Sequence, residues 1–122
     1  MLKVGVVGCG HLGKIHIKLL SESKKYFLVG VYDPNLEESK IISKKFNCTH
    51  FKNFNELLDN IDVLDIVTPT PFHFEYAELA INKKKHVFIE KPVCSNTNES
   101  NKLIELSSSK DVKIQVGHVE RF

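Results

Sequence analysis

The sequence predicts an α/β fold, a doubly wound parallel sheet of about six strands in three layers. Three observations carry that prediction. Short apolar runs alternate with helix-period segments along all 122 residues. The first run, Leu2 to Val7, is rich in valine and ends at a glycine, as a parallel strand buried on both faces does. The connections are short, and no low-complexity linker divides the chain, so one domain over residues 1–122 accounts for everything.

The elements follow in order. After Leu2 to Val7, the apolar positions Leu12, Ile15, Leu19 and Leu20 predict the inward face of a first helix, with Lys14 and Lys18 outward. Phe27 to Tyr32 is a second strand, closed by Asp33-Pro34-Asn35, which suits a turn into a helix. Leu36 to Phe46 reads as that helix, with Ile41, Ile42 and Phe46 inward. A short third strand at His50-Phe51 and a brief helix over Asn53 to Asp59 follow. Val63 to Val67, His86 to Ile89 and Val112 to Val116 are the remaining strands, separated by helices over Phe72 to Asn82 and Asn98 to Ser108.

Composition narrows the function classes. A hydrophobic content of 42% supplies a core for a chain of this length. No stretch approaches the roughly eighteen apolar residues of a membrane span, and Met1 leads directly into strand-like sequence, so the expectation is a cytoplasmic protein without signal peptide or membrane contact. Cys9, Cys48 and Cys94 are odd in number and unpaired in spacing, which predicts reduced thiols and no metal site. The net charge of +2 is small. Lys83-Lys84-Lys85, the only basic run, suits a helix end, so nucleic acid is not an expected partner.

The chemistry is concentrated at strand ends. Gly8-Cys9-Gly10-His11-Leu12-Gly13 has the spacing of a phosphate-binding turn: Gly8 allows the sharp exit from the strand, Gly10 lets a pyrophosphate approach the backbone, and Gly13 lets the helix pack on the sheet. The helix start at His11 and Leu12 offers N–H groups and a positive dipole end to phosphates. Asp33, twenty positions beyond Gly13, stands where an acid accepts hydrogen bonds from an adenosine ribose. Its charge disfavours an extra 2′-phosphate, which predicts NAD as cofactor over NADP. Asp33 is alternatively a turn former before Pro34. His11 and His16, about one and a half turns apart, fall on different faces and read as surface or packing residues.

In such a sheet the ligand lies between the loops after the first and fourth strands. The second of these, Thr68-Pro69-Thr70-Pro71-Phe72-His73, combines proline stiffness with hydroxyls for a ribose, as a cofactor wall requires; the lesser alternative is a rigid turn that caps the next helix. After the fifth strand comes Glu90-Lys91-Pro92. Beside an oxidised, positively charged cofactor, Lys91 would lose its proton more readily and could move that of a substrate hydroxyl.

The set Gly8 to Gly13, Asp33, Thr68-Pro69, His73 and Glu90-Lys91-Pro92 resembles the Gfo/Idh/MocA family of sugar and inositol dehydrogenases along the whole chain. The resemblance implies a Rossmann fold binding NAD through Gly8, Gly10, His11, Leu12, Gly13, Asp33, Thr68, Pro69, Thr70, His73, Glu90 and Lys91. It makes Lys91 the catalytic residue and has Glu90 hold the nicotinamide end. Gly117 to Phe122 resembles the family segment beside the nicotinamide, with Arg121 a further candidate; His73 and His118 are alternatively packed or helix-starting histidines. The resemblance also implies a second α/β domain, carrying an Asp and His pair and most of a sugar-like substrate's site, that these residues do not contain. The expectation is therefore a fragment that binds NAD with little turnover and, with apolar surface uncovered, self-associates as a homo-oligomer. Two other readings fit the glycine turn: an S-adenosylmethionine methyltransferase, which leaves Glu90-Lys91-Pro92 unexplained, and a non-catalytic NAD-sensing module, which has no need of Lys91.

Overall fold

The computed structural model describes residues 1–90 and 92–117. Six strands, β1 (Leu2–Val7), β2 (Tyr26–Tyr32), β3 (Thr49–His50), β4 (Val63–Ile66), β5 (His86–Glu90) and β6 (Ile114–Gly117), form one all-parallel sheet in the order β3-β2-β1-β4-β5-β6. The helices are α1 (His11–Glu22), α2 (Leu36–Lys45), α3 (Phe54–Asp59), α4 (His73–Asn82) and α5 (Thr97–Lys110). The predicted doubly wound α/β sheet is present. Strand order reverses between β1 and β4, and their carboxyl ends frame the crevice where ligands of such sheets bind.

Strand alternation divides the core in two. Val4 and Val6 of β1 pack with Ile17 and Leu20 of α1 and Ile42 of α2, whereas Val7, Leu64, Ile66, Val87 and Ile89 pack on the other face against α3, α4 and α5. Each fully buried aliphatic side chain contributes about 1.5–3 kcal/mol, so the two clusters together fix both helix layers. Among the described residues no helix is long and apolar enough to cross a membrane.

Asparagine starts three of the helices. Asn35, Asn53 and Asn96 accept hydrogen bonds from backbone N–H groups at the starts of α2, α3 and α5, and each of these helices has a glutamate in its first turn.

Several details differ from expectation. Helix α1 buries Gly13, His16, Ile17 and Leu20, while Leu12 and Ile15 face outward at 42% and 37% exposure. The cause is Gly13: a Cβ there would collide with the Gly8 carbonyl oxygen, so helix and turn are in backbone contact along the face that 13, 16, 17 and 20 share. In α2, Ile42 and Ser39 point inward and Ile41 is exposed. Helix α4 begins at His73, after a single 3-10 turn over Thr70–Phe72. Strand β6 begins at Ile114 because Val112 is used to end α5: Asp111 takes a left-handed conformation (φ 57°), and the Val112 N–H donates back to the Ser107 carbonyl at 3.0 Å.

The Gly13 contact predicts that Gly13→Ala loses about 1–3 kcal/mol of stability through overpacking. Urea denaturation, followed by circular dichroism, measures the loss.

Candidate functional site

Gly8 leaves β1 at φ +111°, and a Cβ on it would stand 2.6 Å from the Val67 carbonyl oxygen at the tip of β4. Both Gly8 and Gly13 are therefore glycine because the fold leaves no room. Gly10 is different: a Cβ there meets nothing within 4 Å, and its backbone (φ −72°, ψ −164°) suits any residue. No contact inside the described chain requires Gly10 to lack a side chain. The α1 start it caps has no side-chain hydrogen bond and no acid in its first turn, unlike α2, α3 and α5. Unanswered N–H groups, a bare backbone approach and the positive end of a twelve-residue helix make a cradle that fits a phosphate.

Asp33, just after β2, accepts a hydrogen bond from the Cys9 N–H at 2.7 Å through Oδ2 and from the Asn35 N–H at 2.8 Å through Oδ1. It thus forms the turn and braces the glycine loop together. Each oxygen keeps a further lone pair for a ligand hydroxyl. A cleft of about 390 Å³ opens beside it, with Gly8, Gly10, Thr68, Pro69 and Phe72 in its lining together with the acids Asp33 and Glu75; among the described residues no lysine or arginine lines it. The Cys9 side chain is fully buried. Burial, then the charge of Asp33, pushes its thiol up to about 12, so only its backbone takes part.

His73 is 3% exposed. Its Nε2 lies 2.8 Å from the Thr68 carbonyl oxygen, and its Nδ1 lies 3.1 and 2.9 Å from those of Pro92 and Val93. The ring therefore ties the loop after β4 to the segment after β5. Carbonyls accept only, so the doubly protonated ring answers all three and the neutral ring answers those on one side. Thr70 is half-buried at the head of the 3-10 turn, and His11 is exposed. Glu90 ends β5 on the face that carries α1; Lys91, His118 and Arg121 lie outside the described residues.

The sequence reading passed over a buried polar row. His16 Nδ1 and Asp65 Oδ2 are 2.7 Å apart, both side chains are fully buried, and His16 Nε2 stands 3.3 Å from Oε1 of Glu90. Among the described residues, Asp65 Oδ1 and Glu90 Oε1 have no hydrogen-bond partner. One signal was available: Asp65 interrupts the apolar run Val63 to Val67, where a charge is expensive unless paired. Burial pushes the Asp65 carboxyl up against the pull of His16. Burial also pulls the His16 imidazole down, but the hydrogen bond and charge of Asp65, with Glu90 beyond it, outweigh burial and hold it above its ordinary value. On either partner, the shared proton is retained to higher pH than in the unfolded chain.

A 3-2-1-4-5-6 parallel sheet with a glycine turn and an uncapped helix at its switch point defines a Rossmann domain of the dinucleotide-binding class. Residues 2–118 match the model of the Gfo/Idh/MocA group, described as an oxidoreductase family with an NAD-binding Rossmann fold, and the chain belongs to that family. It is 34% identical over 120 residues to UDP-N-acetylglucosamine 3-dehydrogenase of Acidithiobacillus ferrooxidans, covering 98% of this chain and 38% of that protein. It is 33% identical over its whole length to glucose-6-phosphate 3-dehydrogenase of Bacillus subtilis, covering 35% of that protein. The solved structure of the Acidithiobacillus enzyme superposes with a TM-score of 0.92 over 98% of this chain and 39% of its own. The chain thus spans less than two-fifths of the length of these relatives.

Two outcomes are expected. Because His16 keeps its proton to higher pH in the folded chain than in the unfolded one, its protonation contributes stability that is complete below about pH 6.5 and is lost as pH rises through the folded value. Urea unfolding should show stability falling by at most about 1.4 kcal/mol per pH unit above pH 6.5, a slope absent from the double variant His16→Phe/Asp65→Val. His73→Phe removes the ring N–H donors that face these carbonyls and should lower stability by about 2 kcal/mol in the same assay.

Proposed function

We propose that these residues bind NAD across the carboxyl edge of the sheet and serve an enzyme that oxidises a secondary hydroxyl of a sugar-like substrate. Gly10 carries this reading. A residue that no contact among the described residues requires to be glycine, at an uncapped helix start, is accounted for by a pyrophosphate against the backbone. Strands lie about 4.8 Å apart, so the tips of β2 and β5 are separated by about 14 Å across β1 and β4, a span suited to a dinucleotide. Asp33 takes the ribose hydroxyls at one end, and Glu90 stands at the nicotinamide end.

The acids Asp33 and Glu75, with no cation among the described residues of the cleft lining, favour NAD over NADP. Thr68 and Pro69 line the cleft opposite the glycine turn, with Thr70 the next candidate along the loop and His73 bonded to the Thr68 carbonyl from behind. When bound, NAD would supply the acceptor for a hydride leaving the substrate carbon. Lys91 would take the hydroxyl proton as the carbonyl forms, with Arg121 a further candidate for contact with the cofactor. The names of the relatives, dehydrogenases acting at a sugar 3-position, support a sugar-like substrate. Orientation of substrate against cofactor supplies much of the acceleration, and these relatives are more than twice as long, so the 122 residues alone should bind cofactor and turn over little.

Isothermal titration with NAD and NADP tests the reading. Gly10→Ala should keep stability within about 1 kcal/mol, since its methyl enters open space, yet lower NAD affinity at least tenfold, about 1.4 kcal/mol. Unchanged affinity would remove the main support. Asp33→Asn keeps an oxygen for one backbone N–H, removes the charge, and should narrow the preference for NAD over NADP by roughly tenfold.

A further inference from the structure

The row His16, Asp65 and Glu90 joins α1, β4 and β5, and neither the packing of the sheet nor the phosphate cradle needs it. An apolar residue at 65 would suit a position between Leu64 and Ile66, both fully buried, without the cost of burying a carboxylate. Asp65 pairs with Phe88 in the sheet register, so Glu90 lies on the same face, two residues nearer the carboxyl edge. The imidazole spans that offset. Its Nδ1 edge meets Asp65 at 2.7 Å, its Nε2 edge meets Glu90 at 3.3 Å, and the Phe88 ring packs against it edge-on at 6.3 Å between centroids. The Asp65 side chain is fully buried, whereas the Glu90 side chain keeps 15% exposure at the carboxyl end of β5. Among the described residues, the charged and titratable groups that meet on this ring are His16 from α1, Asp65 from β4 and Glu90 from β5.

We propose that His16 and Asp65 are positioning residues for Glu90, holding its carboxylate in one orientation at the nicotinamide end of the cofactor site. The inference rests on the NAD reading above. Asp65 holds the ring through Nδ1, and the protonated ring's Nε2 edge, in ion-pair contact with Oε1, then restrains a flexible glutamate that would otherwise be ordered only on ligand binding. Glu90 touches the cofactor, and the other two act through it.

The test uses the intact 122-residue chain and two ligands, NAD and ADP-ribose, the second lacking the nicotinamide. His16→Asn places an amide N–H near the position of Nδ1, keeps the bond to Asp65, and removes the edge that reaches Glu90. Glu90→Gln removes the charge being held. Each variant should weaken NAD by roughly three- to tenfold, the cost of ordering one freed side chain, and leave ADP-ribose unchanged. The double variant should bind NAD no more weakly than Glu90→Gln alone. Equal weakening of both ligands by His16→Asn, a second full loss in the double variant, or NAD binding untouched by Glu90→Gln overturns the proposal. Should His16→Asn fail to fold, nitrogen NMR of the imidazoles decides instead: Glu90→Gln must move the His16 Nε2 signal more than the Nδ1 signal, and an unmoved Nε2 signal overturns it. If the unaltered chain binds neither ligand, the NAD reading falls, which is a separate result.

Discussion

The contact between Gly13 and the Gly8 carbonyl oxygen sets the depth and rotation of α1, and most of the site inherits its geometry from it. With Gly13 pressed on the turn, positions 16, 17 and 20 must face the sheet, so Ile17 and Leu20 enter the core and His16 meets Asp65. The same rotation sends Leu12 and Ile15 outward. It also brings the first N–H groups of the helix to the switch point between β1 and β4. A side chain at 13 would lift the helix and disturb all of these together.

The carboxyl edge is braced in pairs. Asp33 links the end of β2 to the glycine turn after β1, and His73 links the loop after β4 to the segment after β5. Between them, the His16 row ties α1 to β4 and β5. Each brace is a polar side chain answering a backbone group or a second polar side chain. Loops that would otherwise sample several arrangements are thereby held as one surface before any ligand arrives, which lowers the ordering cost of binding.

The strands were legible because Val, Ile and Leu runs ending in glycine or proline leave few alternatives, and the glycine turn and Asp33 were legible because their spacing is local. Which helix faces point inward was harder to read. Apolar residues at 12, 15 and 41 suggested one face, but backbone contact at Gly13 and the burial of Ser39 beside Ile42 chose another. Val112 looked like strand and serves a helix end, since capping depends on the conformation of Asp111 and not on hydropathy. The His16–Asp65–Glu90 row was missed for a related reason: residues 49 and 25 positions apart meet only once the sheet is assembled. An acid inside an apolar run was the one local sign of it.

Cys9 stands in the middle of the phosphate-facing turn, where a reactive sulfur would expose the site to oxidants and alkylating agents. The fold turns its side chain into the core beside Val6 and Val31, and burial together with the Asp33 carboxylate keeps the thiol protonated, with its pKa near 12. The nucleophilic thiolate is therefore scarce at neutral pH, and what the turn presents outward from this residue is its amide alone. A cysteine can thus occupy the centre of the turn without making it a redox-sensitive element, and the brace that orders the loop also shields it chemically.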